Sequence, residues 1–287
     1  MSDNTQIPSV FTNLPKKTLE LKSSEKMEEI KNEYMQLNSN DEYKRQRDEI
    51  TTVLRKKGRD ELLKQKRGIK TEEIDTFTNQ MSPAKMMFTA ADIPKLAAAI
   101  YSTVEAEIYL GVVGLRRLLA TETASPIQEI IDANTVPKLV DLITLHDKPH
   151  IQFEAAWCLT NIATGTTEQT QCVIYKGSIP KFIDLLSSQL DKIKDQTISA
   201  LGNISGENAY CRNLVLKANI IPPLVQVLET THYTNTTKNG LWTLSNLCRG
   251  KPSPDFEEVK CLIPTFSRYV KDINCEMEAL TNCCWAL

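Results

Sequence analysis

Runs of alternating Val, Ile and Thr closed by Asn-Gly turns are missing from this 287-residue sequence, which removes the usual signature of hairpins and sheets. Also missing are any run of 18 apolar residues and any apolar stretch at the start, so neither a membrane span nor a signal peptide is expected. Histidine is scarce: His146, His150 and His232 have no nearby nucleophile or metal-type partner, and His146-x-x-x-His150 reads as a loop pair. No phosphate loop and no Ser/His/Asp constellation is present, which argues against an enzyme and against a cofactor. Cysteine is not scarce, but none of the eight (Cys158, Cys172, Cys211, Cys248, Cys261, Cys275, Cys283, Cys284) forms a Cys-x-x-Cys pair. In a helical chain without a secretion signal these read as reduced thiols, most of them small core residues, and no structural metal is expected.

What is present is an ordinary globular balance, 41% hydrophobic and 24% charged, with 6% aromatic residues. Charge is unevenly placed. Residues 41–70 hold eleven Lys/Arg against six Asp/Glu, a net of +5 in a chain whose total is −2, so everything outside that stretch carries −7. A basic segment on a mildly acidic body implies self-association or a separate acidic partner rather than nucleic acid.

The organising signal is a repeat. Phe153–Ile162 reads as a helix in which Trp157 and Asn161, four apart, lie one above the other, and Gly165 is expected to end it in a left-handed cap. Tryptophan returns at 242 and 285, and asparagine follows four later at 161, 203 and 246, with Ser199 where the missing tryptophan would stand. A second marker, an apolar residue plus proline, keeps the same step at Val136-Pro137, Ile179-Pro180, Ile221-Pro222 and Ile263-Pro264. Two independent markers spaced 42 to 43 residues apart predict an all-α solenoid of armadillo or HEAT type. A ladder of Trp/Asn pairs on one face explains the shared register; a lone core tryptophan does not.

Taken in order, residues 1–40 are polar and weakly patterned, and read as a disordered extension with too little apolar surface to offset ordering entropy. Residues 41–70 read as a long basic helix. Its apolar stripe is too sparse for a heptad seam, and Gly58 costs roughly 1 kcal/mol against alanine in mid-helix, so folding against an acidic surface fits better. Lys64, Lys66 and Arg67 form a basic cluster similar to a nuclear-localisation signal. Residues 71–89 read as a linker and 90–287 as about four repeats, the first without a Trp/Asn pair. The last stops inside its tryptophan helix, the look of a truncated form, since arrays normally carry a polar cap. A helix opens after each proline marker, and the Trp/Asn helix follows after a short loop.

Over residues 41–70 and about 105–287 the chain resembles importin alpha, on Gln152-Phe-Glu-Ala-Ala-Trp157 through Thr170, Ala200-Leu-Gly-Asn203-Ile, and Leu241-Trp-Thr-Leu-Ser-Asn246-Leu-Cys-Arg-Gly-Lys. The resemblance implies a right-handed armadillo superhelix and a nuclear import adaptor that shuttles between cytoplasm and nucleus. It implies two partners, lysine/arginine-rich cargo peptides and importin beta, the latter being the only link to the nuclear pore. Paired indoles would accept the aliphatic stem of a lysine with its ammonium at the open end, and the asparagines would hold the peptide main chain. The resemblance assigns these roles to Trp157, Asn161, Asn203, Trp242, Asn246 and Trp285, with Thr164, Thr166 and Thr170 as polar contacts to the key lysine. Gln196, Asn239 and Arg249 take further groove positions, and Glu278 and Glu207 supply acid, Glu207 standing where the family has aspartate. Lys44, Arg45, Arg47, Arg55, Lys56, Lys57 and Arg59 would face importin beta, while Lys64, Lys66 and Arg67 would fold back to inhibit the chain's own groove. Ser199, Asn282 and Thr121 depart from the family pattern, and Ser199, between polar Gln196 and Asn203 at helical spacing, is expected to be exposed. A non-transporting armadillo scaffold or an inhibitory fragment is the alternative.

Overall fold

The computed structural model describes residues 87–121 and 125–287; the expected extension 1–40, basic helix 41–70 and most of the linker lie outside the described residues. Among the described residues the regular structure is entirely helical. After a 3₁₀ turn at Ala90–Asp92 come α1 (Ile93–Ala99) and the long α2 (Glu105–Leu119). Three-helix units follow. The first is α3 (Ile127–Asp132), α4 (Thr135–Leu142) and α5 (Pro149–Ile162); the second is α6 (Thr167–Tyr175), α7 (Ser178–Leu185) and α8 (Asp191–Glu207). The third is α9 (Ala209–Lys217), α10 (Ile221–Thr230) and α11 (Thr234–Leu247). The fourth has a short α12 (Phe256–Val259) and a 3₁₀ turn (Lys260–Leu262) before α13 (Ile263–Lys271) and α14 (Met277–Ala286).

The expected two helices per unit, one after the proline marker and one carrying Trp/Asn, are both present, and a short helix precedes them. Proline sits in the first turn of α1, α4, α5, α7, α10 and α13, where its missing N–H costs no intrahelical bond. The corner between the first and second helices of a unit needs a left-handed residue, supplied by Asn134 (φ 55°), Gly177 (φ 76°) and Asn219 (φ 61°). This third marker keeps the period of the other two. Asparagine and glycine are the residues that reach this region at least cost.

Gly165 departs from expectation. Helix α5 ends at Ile162 with Ala163 at φ −70°, and Gly165 is not among the positive-φ residues. Its role is space: a Cβ there would come within 2.0 Å of Gln169 Oε1. That oxygen belongs to the capping box of α6, in which Thr166 N–H donates to Gln169 Oε1 (3.0 Å) and Gln169 N–H donates to Thr166 Oγ1 (3.4 Å).

The third helices stack in series, α2 on α5, α5 on α8, α8 on α11 and α11 on α14, and these are the strongest packings between units. Each buries an apolar row in one continuous core: Leu115 and Leu119; Ile151, Leu159 and Ile162; Ile198, Leu201 and Ile204; Leu241, Leu244 and Leu247, all fully buried. A row three to four residues apart is one helical face, so the Trp/Asn positions fall beside the core row rather than in it.

Candidate functional site

The Trp/Asn pairs lie on this series of third helices: Trp157/Asn161 on α5, Ser199/Asn203 on α8, Trp242/Asn246 on α11 and Trp285 on α14. Side-chain bonds to the preceding helix stitch the series together. Asn203 Nδ2 donates to Thr160 O (3.2 Å), Asn246 Nδ2 donates to Gly202 O (3.1 Å), and Thr243 Oγ1 donates to Ile198 O (3.1 Å). Such a bond uses one of two N–H groups on the amide, fixes its orientation, and leaves the second N–H and an oxygen lone pair for an extended chain. At the first rung the pattern breaks. The equivalent acceptor for Asn161 is Leu118 O, which takes the Thr121 hydroxyl (2.9 Å), and among the described residues the buried Asn161 Nδ2 has no hydrogen-bond partner.

Small residues set how close the rungs come. A Cβ on Gly202 would lie 2.2 Å from the Trp242 ring, and one on Gly206 2.9 Å from Asn246 Nδ2. The two glycines, four apart on α8, thus face the indole and amide four apart on α11. Sequence reasoning missed this glycine pair, although its spacing copies that of Trp242 and Asn246.

The indoles are not equivalent. Trp157 is 5% exposed, with Phe153 edge-on at 5.6 Å and the Arg116 guanidinium 4.6 Å over its ring. Arg116 from α2 is itself buried and ion-paired through Nε with the buried Glu154. Trp242 is partly exposed and Trp285 45% exposed, the latter with the Arg249 guanidinium 6.0 Å from its ring centre. The expected surface indole is therefore found along α11 and α14 but not at Trp157. Ser199 is a second correction: it is 3% exposed, not open, and its hydroxyl donates to Asp195 O (2.9 Å). Polar neighbours at helical spacing misled here because Asn203 is also buried, and Asn239 Nδ2 reaches across to Asp195 Oδ1 (2.6 Å).

The remaining candidates are spread along this face. Thr164 Oγ1 donates to Asn161 O (2.8 Å), Thr166 caps α6, and Thr170 is fully buried with its hydroxyl on Ala163 O (3.3 Å). Glu207, part-buried at the end of α8, accepts from Thr167 Oγ1 (2.5 Å). Gln196 is half-buried, and Arg249 bonds Ser245 O, Ser245 Oγ and Asn246 Oδ1 at 3.0, 2.7 and 3.0 Å. Glu278 and Glu276 both pair with Lys238, at 3.4 and 3.3 Å, and the half-buried lysine is held above its ordinary pKa by these carboxylates against the cost of burial. Lys44, Arg45, Arg47, Arg55, Lys56, Lys57, Arg59, Lys64, Lys66 and Arg67 lie outside the described residues.

A cavity of about 560 Å³ opens at the N-terminal ends of the same helices, one turn from Trp157, lined by Tyr109, His150, Phe153, Asp195, Tyr233 and Thr236 among others. Among the described residues no group of histidine, cysteine or acidic side chains is placed to hold a metal, and no helix is long and apolar enough to cross a membrane.

Comparison with known proteins matches these features. The Armadillo/beta-catenin-like repeat family matches residues 123–164, 166–206 and 208–249, and the importin beta binding domain family matches 26–112. Importin subunit alpha-2 of Arabidopsis thaliana is 36% identical over 273 residues, covering 94% of this chain and 51% of that protein. The probable importin subunit alpha-A of Dictyostelium discoideum is 33% identical over 296 residues, covering 93% and 53%. The chain thus spans about half the length of these relatives. A designed armadillo repeat protein, solved in complex with the peptide (KR)4, shares the fold at a TM-score of 0.63 and 22% identity, over 88% of this chain and 95% of that one. Repeats, ladder and relatives converge: this chain belongs to the importin alpha family.

Proposed function

We propose that the chain is a nuclear import adaptor that holds lysine-rich signal peptides along the indole–asparagine ladder and binds importin beta through its N-terminal basic segment. The observation that carries this reading is the row of amides oriented at Asn203 (3% exposed) and Asn246 (half-buried), beside the partly exposed Trp242 and the 45% exposed Trp285. An extended peptide can bond such amides through its backbone while its lysine stems lie on the indoles. Glu207 and Glu278 add negative charge along the same face, and the importin beta binding match over 26–112 supports the second partner. Shuttling between cytoplasm and nucleus, and pore contact through importin beta alone, follow from that pairing.

The test is binding of a labelled lysine-rich peptide, and separately of importin beta, to the full chain at low and physiological salt. Affinity lost when the peptide lysines become alanine supports the reading. Importin beta binding without peptide binding would favour the inhibitory-fragment alternative, and binding of neither would favour a non-transporting scaffold.

A further inference from the structure

The hydroxyl of Thr167 is not the cap of its own helix. Thr167 is the first residue of α6, and the cap of α6 is already made by Thr166 and Gln169. Its proton goes instead to Glu207 Oε1, 40 residues on, at 2.5 Å. That is the length of a charge-assisted O–H···O⁻ bond. Both residues are half-buried. Glu207 is the last residue of α8, where the negative end of the helix dipole disfavours a carboxylate, so the stability of α8 does not call for one there. The bond brings the carboxylate to the start of α6, the positive end of a neighbouring helix.

A glutamate at a helix end samples many rotamers, and one held at its carboxylate has lost that freedom before any ligand arrives. Thr167 takes one of roughly four acceptor positions on the two carboxylate oxygens. In the adjoining turn Thr164 Oγ1 donates to Asn161 O and Thr170 Oγ1 to Ala163 O, so these hydroxyls brace the backbone between α5 and α6. Glu207 is the charged group brought to that turn.

We propose that Thr167 is a positioning residue: it holds the Glu207 carboxylate at the α5–α6 turn, where the carboxylate receives the ammonium of one cargo lysine. The inference rests on the peptide-binding reading above. It adds that the charge at this point is arranged from the first helix of the unit, outside the ladder of third helices.

In the full chain, Thr167→Val removes the hydroxyl at nearly constant shape. It should weaken binding of a lysine-rich peptide about 2- to 10-fold, and Thr167→Ser should restore the wild-type Kd to within about twofold. In a Glu207→Gln background the valine should cost no further affinity. Peptides carrying norleucine at each lysine in turn test the ammonium: for one of them, wild type and Thr167→Val should bind alike. A uniform loss across the whole set, or a full further loss in the Glu207→Gln background, would show that Thr167 only shapes the fold and would overturn the proposal. Binding left unchanged by both Thr167→Val and Glu207→Gln would overturn it too, with the adaptor reading intact. A wild-type chain that binds no lysine-rich peptide removes the adaptor reading, and the proposal with it. Where Thr167→Val does not fold, Thr167→Ala makes the same comparison.

Discussion

At the scale of single residues, burial decides between slot and core. Ser199 is 3% exposed on a helix packed on both sides, by α5 and α11, so Ser199→Trp should overpack the site. The expected outcome is a loss of about 1–3 kcal/mol in urea unfolding with no gain in peptide affinity. A tighter-binding variant of unchanged stability would show that the neighbouring helices part to admit an indole. Gly202→Ala is the complementary case, since its methyl would strike the Trp242 ring. It should cost a similar amount and shift the near-UV circular dichroism of the indole; an unchanged spectrum would mean that Trp242 does not rest on Gly202. The Trp/Asn rungs were legible in the sequence because they recur with a period. Arg116 was not, because it meets Trp157 and Glu154 some 40 residues away, and no spacing rule says which side chain arrives there; the burial of Ser199 was not, because it depends on the helices packed on either side of α8.

At the scale of elements, the three-helix unit depends on a corner rather than on helix propensity. Asn134, Gly177 and Asn219 hold the left-handed turn into the second helix. Gly177→Ala should destabilise by about 1–2 kcal/mol, the cost of a side chain in that region. Asn219→Gly should be close to neutral, because glycine adopts the same φ without a Cβ. Equal losses for both substitutions, measured by chemical denaturation, would mean that the Asn219 side chain matters rather than its φ. This corner was hard to read from sequence because asparagine and glycine alternate in it, so the period is one of conformation and not of residue type. The proline markers were easy by contrast, since one residue serves each first turn.

At the scale of the whole molecule, thiol chemistry reports the core. Cys158, Cys211 and Cys283 are buried while Cys261 and Cys284 are exposed. Burial pushes the thiol pKa up to about 11 at Cys211 and Cys248 and about 12 at Cys283, and raises Cys158 further. A raised thiol pKa means the folded chain keeps protons that the unfolded chain gives up. Its effect on stability is therefore nil below the ordinary thiol pKa near 9, and grows unfavourable as pH rises toward 11. Thermal melts should drop across that interval, and cysteine-to-serine replacement at the half-buried Cys248 should reduce the drop. At pH 8 a disulfide-exchange reagent should modify Cys261 and Cys284 first, and the buried thiols only on unfolding. Fast modification of Cys158 would place α5 outside the core.

The stitching of α5, α8 and α11 by Asn203, Asn246 and Thr243 has a mechanical side. Those bonds run from the side chains of one ladder helix to the backbone of the one before it, and the strongest packing between units follows the same line. The ladder edge is therefore the more tightly packed side of the array, while the second helices are tied by fewer contacts, such as Lys181 Nζ to Val140 O (3.2 Å) and Tyr269 Oη to Leu228 O (3.2 Å). Bending of the array should then change the spacing of the second helices more than that of the rungs. A ligand of the proposed peptide site would be measured against a ruler that changes length less than the opposite edge does.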